Sequence, residues 1–394
     1  MKYRTFVMEN VLDSIIDYRG KTPKKSENGI KTLSAKSVRD GYIDYSQCYY
    51  ISKEEYDRFM VRGFPKVGDV LMTTEAPLGV LARLDRDDIA LAQRLITLRG
   101  KENVLDTGYL YYYLRSPVGQ GKIQERQTGT TVTGIKQAEF RKIEIALPSI
   151  DIQRKVASLL GVLDEKILVN KKINDNLEQQ ASSVFHHLFI YHSDPAWKEG
   201  TVADLGTVVG GSTPSKSKPE YYTDHGIAWI TPKDLSVDKS KFIQHGADDI
   251  TDLGLRNSSA SIMPKGTVLF SSRAPIGYIA IADGDVTTNQ GFKSVVPHEN
   301  IGTPYVYYYL KSSLPIIENM ATGSTFREIS GSTMKSVPAI IPDNDTLQYF
   351  TEFCDPIFQK QRALELENRK LLCLRDLLLP KLMSGELDVS DIDL

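Results

Sequence analysis

Few groups in this chain have the spacing that chemistry demands. GQGKI at Gly119 suggests a phosphate-cradling loop, but GxxxxGK[ST] needs an earlier glycine and a hydroxyl after the lysine, and both are missing. His186, His187 and His192 offer imidazoles to a metal, yet no HExxH pair and no CxxC accompanies them. Histidines placed at a helix end, where the dipole favours them, are the better reading. YLYYYLRSP (Tyr109 to Pro117) offers rings on which bases can stack. However, Tyr109, Tyr112 and Tyr113 share i, i+3, i+4 spacing with Leu110 and Leu114, so a buried helix face is the stronger reading. No catalytic site is visible, and neither a metal nor a cofactor is expected.

The tyrosine segment returns as YVYYYLKSS (Tyr305 to Ser313), about 196 residues later, and its neighbours return with it. VLMTTEAPLG (Val70 to Gly79) matches VLFSSRAPIG (Val268 to Gly277), and DIALAQ (Asp88 to Gln93) matches DVTTNQ (Asp285 to Gln290). GKTP at Gly20 matches GSTP at Gly211, and TGTTVTGI at Thr128 matches TGSTFREI at Thr322. The order is kept and the offset drifts only from about 191 to 198, as small loop insertions would cause. The chain is two copies of one unit.

Bulk properties agree with two ordinary domains. The 394 residues are 41% hydrophobic and 25% charged, and no apolar run approaches the roughly 20 residues of a membrane span. MKYRTFVMEN lacks the apolar stretch of a secretory signal, and the odd cysteine count of 3 without CxxC fits a reducing compartment. A cytoplasmic location is expected. The net charge is -2, but residues 1–148 carry 24 Lys and Arg against 19 Asp and Glu, while residues 197–342 carry 13 against 14. Any contact with a polyanion must therefore come from local basic loops or a positively charged partner.

Stepping along each copy gives a globular part and a helical tail. DVLMTT, GVLARL and LITLR in the first copy, and TVLFSS, GYIAIA and KSVVP in the second, are strand-like runs punctuated by Gly, Pro, Asp and Asn. The tyrosine segments read as helices. The expected class is α+β: two duplicated mixed domains, 1–148 and 197–342, each with a mainly antiparallel sheet. They are joined through helical spacers, 149–196 and 343–394, as two long antiparallel coiled-coil helices with pseudo-two-fold symmetry. Val156, Leu160, Leu163, Ile167, Asn170, Asn174, Leu177, Ala181, Val184 and Leu188 alternate steps of three and four. Phe350, Cys354, Ile357, Gln361, Leu364, Asn368, Leu371 and Leu378 do the same, with Arg375 interrupting. Gly161 and Asp355-Pro356 fall at matching places, so each tail is expected to break there into a short helix and a long one. A helix of about 27 residues is about 40 Å long. The expected molecule is a dumbbell with a coiled-coil bar.

LLPKLMSGEL (Leu378 to Leu387), the junction ALPSIDIQRKVASLLGVLDEKI, and the order GxTP, APxG, Gln, TGxT strongly resemble a specificity (S) subunit of type I restriction-modification enzymes. The resemblance covers nearly the whole chain. It implies two target-recognition domains, each reading half of a split site in double-stranded DNA, and helices that bind two methyltransferase (M) subunits. Through these, restriction/translocase (R) subunits would join. It implies no activity of the chain's own, in line with the absence of an [ND]PP[YF] or FxGxG motif. Heads about 40 Å apart would match one turn of B-DNA, roughly 34–36 Å, with the bases between them unread.

The DNA-contact candidates are the polar residues of the repeated loops. In the first copy they are Arg19, Lys21, Thr22, Lys24 and Lys25 beside Tyr18, then Lys36, Arg39, Thr73, Thr74, Gln93, Arg94, Thr130, Thr131 and Lys136. In the second they are Thr213, Lys216, Lys218, Lys233, Ser271, Ser272, Arg273, Gln290, Lys293, Thr325 and Arg327. Arg suits guanine and Gln suits adenine in the major groove, whereas Lys and Thr mostly meet phosphate. For each, the alternative is an ordinary solvated side chain. Two rivals to the overall reading remain: a coiled-coil scaffold, which leaves the duplicated heads without a purpose, and a stand-alone two-headed DNA-binding regulator that needs no enzyme partner.

Overall fold

The computed structural model describes residues 3–129, 133–273, 275–323 and 327–392. The chain divides into two compact units, Met1–Ile167 with Lys370–Leu394, and Leu168–Arg369.

In the first unit an antiparallel sheet has the order Leu12–Asp17, Leu95–Gly100, Val70–Thr74, Leu78–Arg83. All five residues of Val70–Thr74 are buried, which explains its unbroken apolar and β-branched run. A smaller sheet orders Tyr49–Ile51, Ile30–Leu33 and Ala90–Leu91, the last pair parallel. The tyrosine helix Thr107–Arg115 is started by Asp106, whose carboxylate accepts from the Tyr109 N–H at 2.8 Å. Tyr109 to Tyr113 are all buried in the core, so these rings are packing groups rather than a stacking platform.

The second unit repeats the plan. Its larger sheet runs Gly206–Gly210, Lys293–Pro297, Val268–Ser272, Ile276–Ala282, Phe242–Ile243, and only the last strand is parallel to its neighbour. The smaller one runs Tyr222–Thr223, Asp248–Ile250, Ile227–Ile230, Thr287–Thr288. The second tyrosine helix, Thr303–Ser312, is buried like the first.

The long helices are Ile150–Phe185, followed by a π-helical turn His186–Tyr191, and Asn344–Ser384. Each is one element. Neither Gly161 nor Asp355-Pro356 splits its helix, contrary to the expectation from propensity. A helical glycine costs only about 1 kcal/mol, and Leu160 beside Gly161 is fully buried. Around Pro356, Cys354, Ile357 and Phe358 are buried, so packing outweighs the lost hydrogen bond. At 36 and 41 residues the helices are roughly 54 and 62 Å long.

Contacts inside each unit show the helices to be antiparallel. In the second unit Asn170 Nδ2 donates to Asn368 Oδ1 at 2.9 Å, and Gln361 Nε2 donates to the Asn174 carbonyl at 3.2 Å. In the first, Arg375 donates to Asp164 at 2.9 Å, so the charge that interrupts the heptads is paired inside the seam. Val156 and Leu160 of one helix and Leu379 and Leu382 of the other enter the first core, and Ala181, Phe185, Phe350 and Cys354 enter the second.

Both tyrosine helices are fixed to a long helix by the same device. Tyr112 OH donates to Asp164 at 2.8 Å, and Arg115 lies 3.6 Å from that carboxylate. Tyr308 OH donates to Glu178 at 2.9 Å, and Lys311 donates to it at 2.6 Å. The buried Lys241 ammonium also pairs with Glu178 and donates to Gln361 at 2.7 Å. Burial alone would raise the Glu178 carboxyl, but Lys241 and Lys311 outweigh it and hold the group at about 2.

Candidate nucleic-acid interface

Four of the repeated loops meet beyond one end of each large sheet. In the first unit the strand Val70–Thr74 leads into the Glu75-Ala76-Pro77 turn. The Thr74 N–H donates to the Arg94 carbonyl at 3.0 Å, and Ile135 N–H donates to the Thr74 carbonyl at 3.0 Å. Arg94 Nε stands 2.7 Å from Glu75 Oε1. Arg19, from the GKTP loop, reaches in and donates to the Ile135 carbonyl at 2.6 Å. Ala76 and Arg94 have φ of 48° and 69°, a region that L-residues occupy only when the surroundings force them.

The second unit builds the same frame with different side chains. Ser272 N–H donates to the Gly291 carbonyl at 2.7 Å, and Ile329 N–H donates to the Ser272 carbonyl at 3.0 Å. Ser212 N–H donates to the Thr288 carbonyl at 2.8 Å, and the Thr213 hydroxyl bonds to Gln290. Here Arg273 Nη1 lies 3.5 Å and Lys293 Nζ 3.8 Å from Glu328. Burial lowers the Lys293 ammonium below its ordinary pKa, with Glu328 opposing that shift and Arg273 adding to it.

A family model described as the type I restriction modification DNA specificity domain matches residues 11–179 and again 195–370. The chain belongs to that family. Among its relatives, the type I restriction enzyme MjaIX specificity subunit of Methanocaldococcus jannaschii is 39% identical over 176 residues, covering 43% of this chain and 40% of that one. Less than half of that relative is therefore spanned. The HindI specificity subunit of Haemophilus influenzae is 22% identical over 404 residues, covering 82% of this chain and 87% of that one. The fold is shared with the crystal structure of the S subunit of the M. genitalium type I system. The TM-score is 0.61 at 18% identity, over 97% of this chain and 96% of that one.

Within this specificity fold, the sequence candidates separate by position. Arg94, Gln290, Arg327, Lys136 and Lys216 are exposed on the converging loops or just beside them, as are Lys21, Thr22 and Lys218. Gln93, Thr213, Arg273 and Lys293 are half-buried among them. Lys36 and Lys233, both exposed, follow the strands Ile30–Leu33 and Ile227–Ile230, whose ends bond Ala92 and Asn289, next to Gln93 and Gln290. Lys24 and Lys25 lie farther along their loop, where the Lys24 backbone N–H donates to Glu55 at 2.9 Å and the Lys25 ammonium lies 4.9 Å from the Tyr49 ring centre. Arg39 sits 3.7 Å from Asp44 in a hairpin whose Asp40 binds Arg115, so the structure does not bring it to the loop cluster.

Four candidates are corrected by their burial. Thr73, Thr74, Ser271 and Ser272 are at most 1% exposed, inside the strands rather than on the surface before the turn. Thr73 Oγ1 accepts from the Val80 N–H at 2.9 Å, and Ser271 Oγ accepts from the Tyr278 N–H at 2.7 Å. These hydroxyls satisfy backbone groups at the strand irregularity beside the turn, as buried donors require. Thr130, Thr131 and Thr325 lie outside the described residues. Sequence reasoning missed Glu75 and Glu328, the carboxylates within the clusters. The signal available was the reversal of charge between TTEAP and SSRAP.

Proposed function

We propose that this chain is the DNA-reading, non-catalytic subunit of a type I restriction-modification complex. Its two target-recognition domains, 1–148 and 197–342, each read one half of a bipartite site through the converging loops. The helical spacers, 149–196 and 343–394, dock two methyltransferase subunits, through which a restriction/translocase subunit joins. Because the long helices contribute to both units, their length sets the number of unread base pairs.

The observation that carries this reading is the double family match lying over two loop clusters with one backbone frame and different side chains. A common frame supports a common task, and different side chains support two different half-sites and hence an asymmetric whole. Exposed apolar side chains on the long helices, among them Val162, Ile173, Leu366 and Leu377, support docking there. A net charge of -2 fits a subunit whose partners neutralise much of the phosphate.

Methylome sequencing of a host with and without the gene tests the whole reading. One asymmetric bipartite motif should vanish with the gene, and a methyltransferase should copurify with the tagged chain. Unchanged methylation would overturn it. Sequence-specific binding by the chain without any methyltransferase would favour the stand-alone regulator.

A further inference from the structure

The two loop clusters share three backbone positions that their hydrogen bonds identify. Thr74 and Ser272 precede the first position, so Glu75 corresponds to Arg273. The carbonyls that accept from Thr74 and Ser272 define the second, so Arg94 corresponds to Gly291. The residues before Ile135 and Ile329 define the third, so Gly134 corresponds to Glu328. This match is reinforced by the bridges Thr128–Gly134 and Thr322–Glu328. Read in that order, the first unit carries Glu, Arg, Gly and the second carries Arg, Gly, Glu. Each cluster thus holds one guanidinium facing one carboxylate, but the pair has been dealt to different loops. The first unit takes the guanidinium from the residue after Gln93, and the second takes it from the residue directly after the strand Val268–Ser272.

We infer that Arg94 and Arg273 are the guanine-reading residues of their half-sites, that Glu75 and Glu328 position them, and that the loop carrying the arginine decides which base pair is read. This inference rests on the reading above that each cluster faces one half-site. Glu75 meets Arg94 at Nε, one edge of the guanidinium, and a guanidinium held at that edge can offer its Nη donors to the O6 and N7 of a guanine. About half of the Arg94 side chain is exposed, at 53%, although its backbone is pinned by Thr74 and strained at φ 69°. A side chain that serves only solubility gives no reason to hold such a backbone. In the second unit Glu328 meets Arg273 at Nη1, a different edge, so the two guanidinium groups are presented differently as well as from different loops. Carboxylates are poor neighbours for phosphate, and their place inside an otherwise cationic cluster is explained if they orient a base reader.

The test selects duplexes from a random-sequence DNA library with the full chain, purified as the complex it forms in its host. The wild type should enrich a two-part motif; if it enriches none, the half-site reading and this inference fall together. Arg94→Gly installs the residue that the second unit has at that position and relieves the positive φ. It should cut the preference for one guanine by roughly ten- to a hundred-fold, leaving the other half-site intact. Arg273→Ala should do the same in the other half-site only. Glu75→Gln should weaken discrimination at the same guanine as Arg94→Gly, without lowering affinity for random duplex, since a negative charge is lost. A merely structural role would lower both. A motif unchanged by Arg94→Gly and Arg273→Ala, or one weakened evenly across all positions, would overturn the inference while leaving the half-site reading standing.

Discussion

Replacing Glu178 with Gln should destabilise the second unit by about 3 kcal/mol, and two independent routes give that size. The Lys241 side chain is only 6% exposed, and Glu178 is the carboxylate in direct contact with its ammonium. Removing one partner of a buried ion pair costs about 3–5 kcal/mol. The lower end applies here, because Gln361 Oε1 and the Tyr307 and Phe358 rings, 4.9 and 4.3 Å away, remain to receive the ammonium. The titration gives a similar figure. A carboxyl held at about 2, against an ordinary 4.5, contributes roughly 3 kcal/mol of stability when ionised. The folded-state pKa is depressed, so this contribution is complete above pH 4.5 and is lost as the pH falls toward 2. The assay is urea unfolding followed by tryptophan fluorescence. The 2 tryptophans, Trp197 and Trp229, both belong to the second unit, so the signal reports that unit alone. At pH 7 the midpoint should fall by about 1–2 M for a typical urea slope, and the gap to wild type should close between pH 4.5 and 2. Adding Lys241→Met should recover most of the loss, because a buried pair replaced by apolar groups is often neutral. A single mutant within about 0.5 kcal/mol of wild type, or a double mutant no better than the single, would refute the assignment of Glu178 as the anchor.

Three further outcomes are expected. Asn368→Leu should cost about 1–3 kcal/mol by leaving Asn170 short of an acceptor, whereas Leu at both positions should be near neutral or stabilising, read by the same fluorescence. Lys136→Ala should weaken DNA binding alike for all sequences and reduce the slope of log affinity against log salt by about 0.9, measured by salt titration of the purified complex. Four residues inserted near Leu177, matched near Leu371, lengthen the helices by about 6 Å, worth one or two base pairs. Methylome sequencing should then show a longer spacer between unchanged half-sites, and an active mutant with the original spacer would contradict the helices as its determinant.

Duplication, the tyrosine helices and the heptad seams were legible because each leaves a periodic trace in the chain. Val156, Leu160, Ile167 and Ala181 announce a buried stripe by spacing alone, and the structure buries them. Helix continuity through Gly161 and Pro356 was not legible, since a local cost of one to three kcal/mol is decided by packing against residues far along the chain. Thr73 and Ser271 misled because a hydroxyl before a turn looks the same whether it meets solvent or caps the neighbouring backbone. The pairing of Arg94 with Glu75, and of Arg273 with Glu328, depends on which loops the sheet gathers at one end. Separations of 19 and 55 residues carry no periodic mark of that. The reversal of charge at equivalent positions was written in the repeat, but its meaning required the third position to be in place.

The division of the chain into units has a consequence for biosynthesis. The second unit is one uninterrupted stretch, Leu168–Arg369, while the first is split between Met1–Ile167 and Lys370–Leu394. On a ribosome the later-made unit therefore has all its parts first. The earlier one waits, with Tyr109, Tyr112 and Val156 ready, for Leu382, Met383 and Val389 to close its core. A chain stopped near residue 370 would release a complete second unit beside a first unit with an open apolar face. The lesion would lie downstream of the second unit's coding stretch, and the aggregation-prone surface would belong to the unit encoded upstream of it.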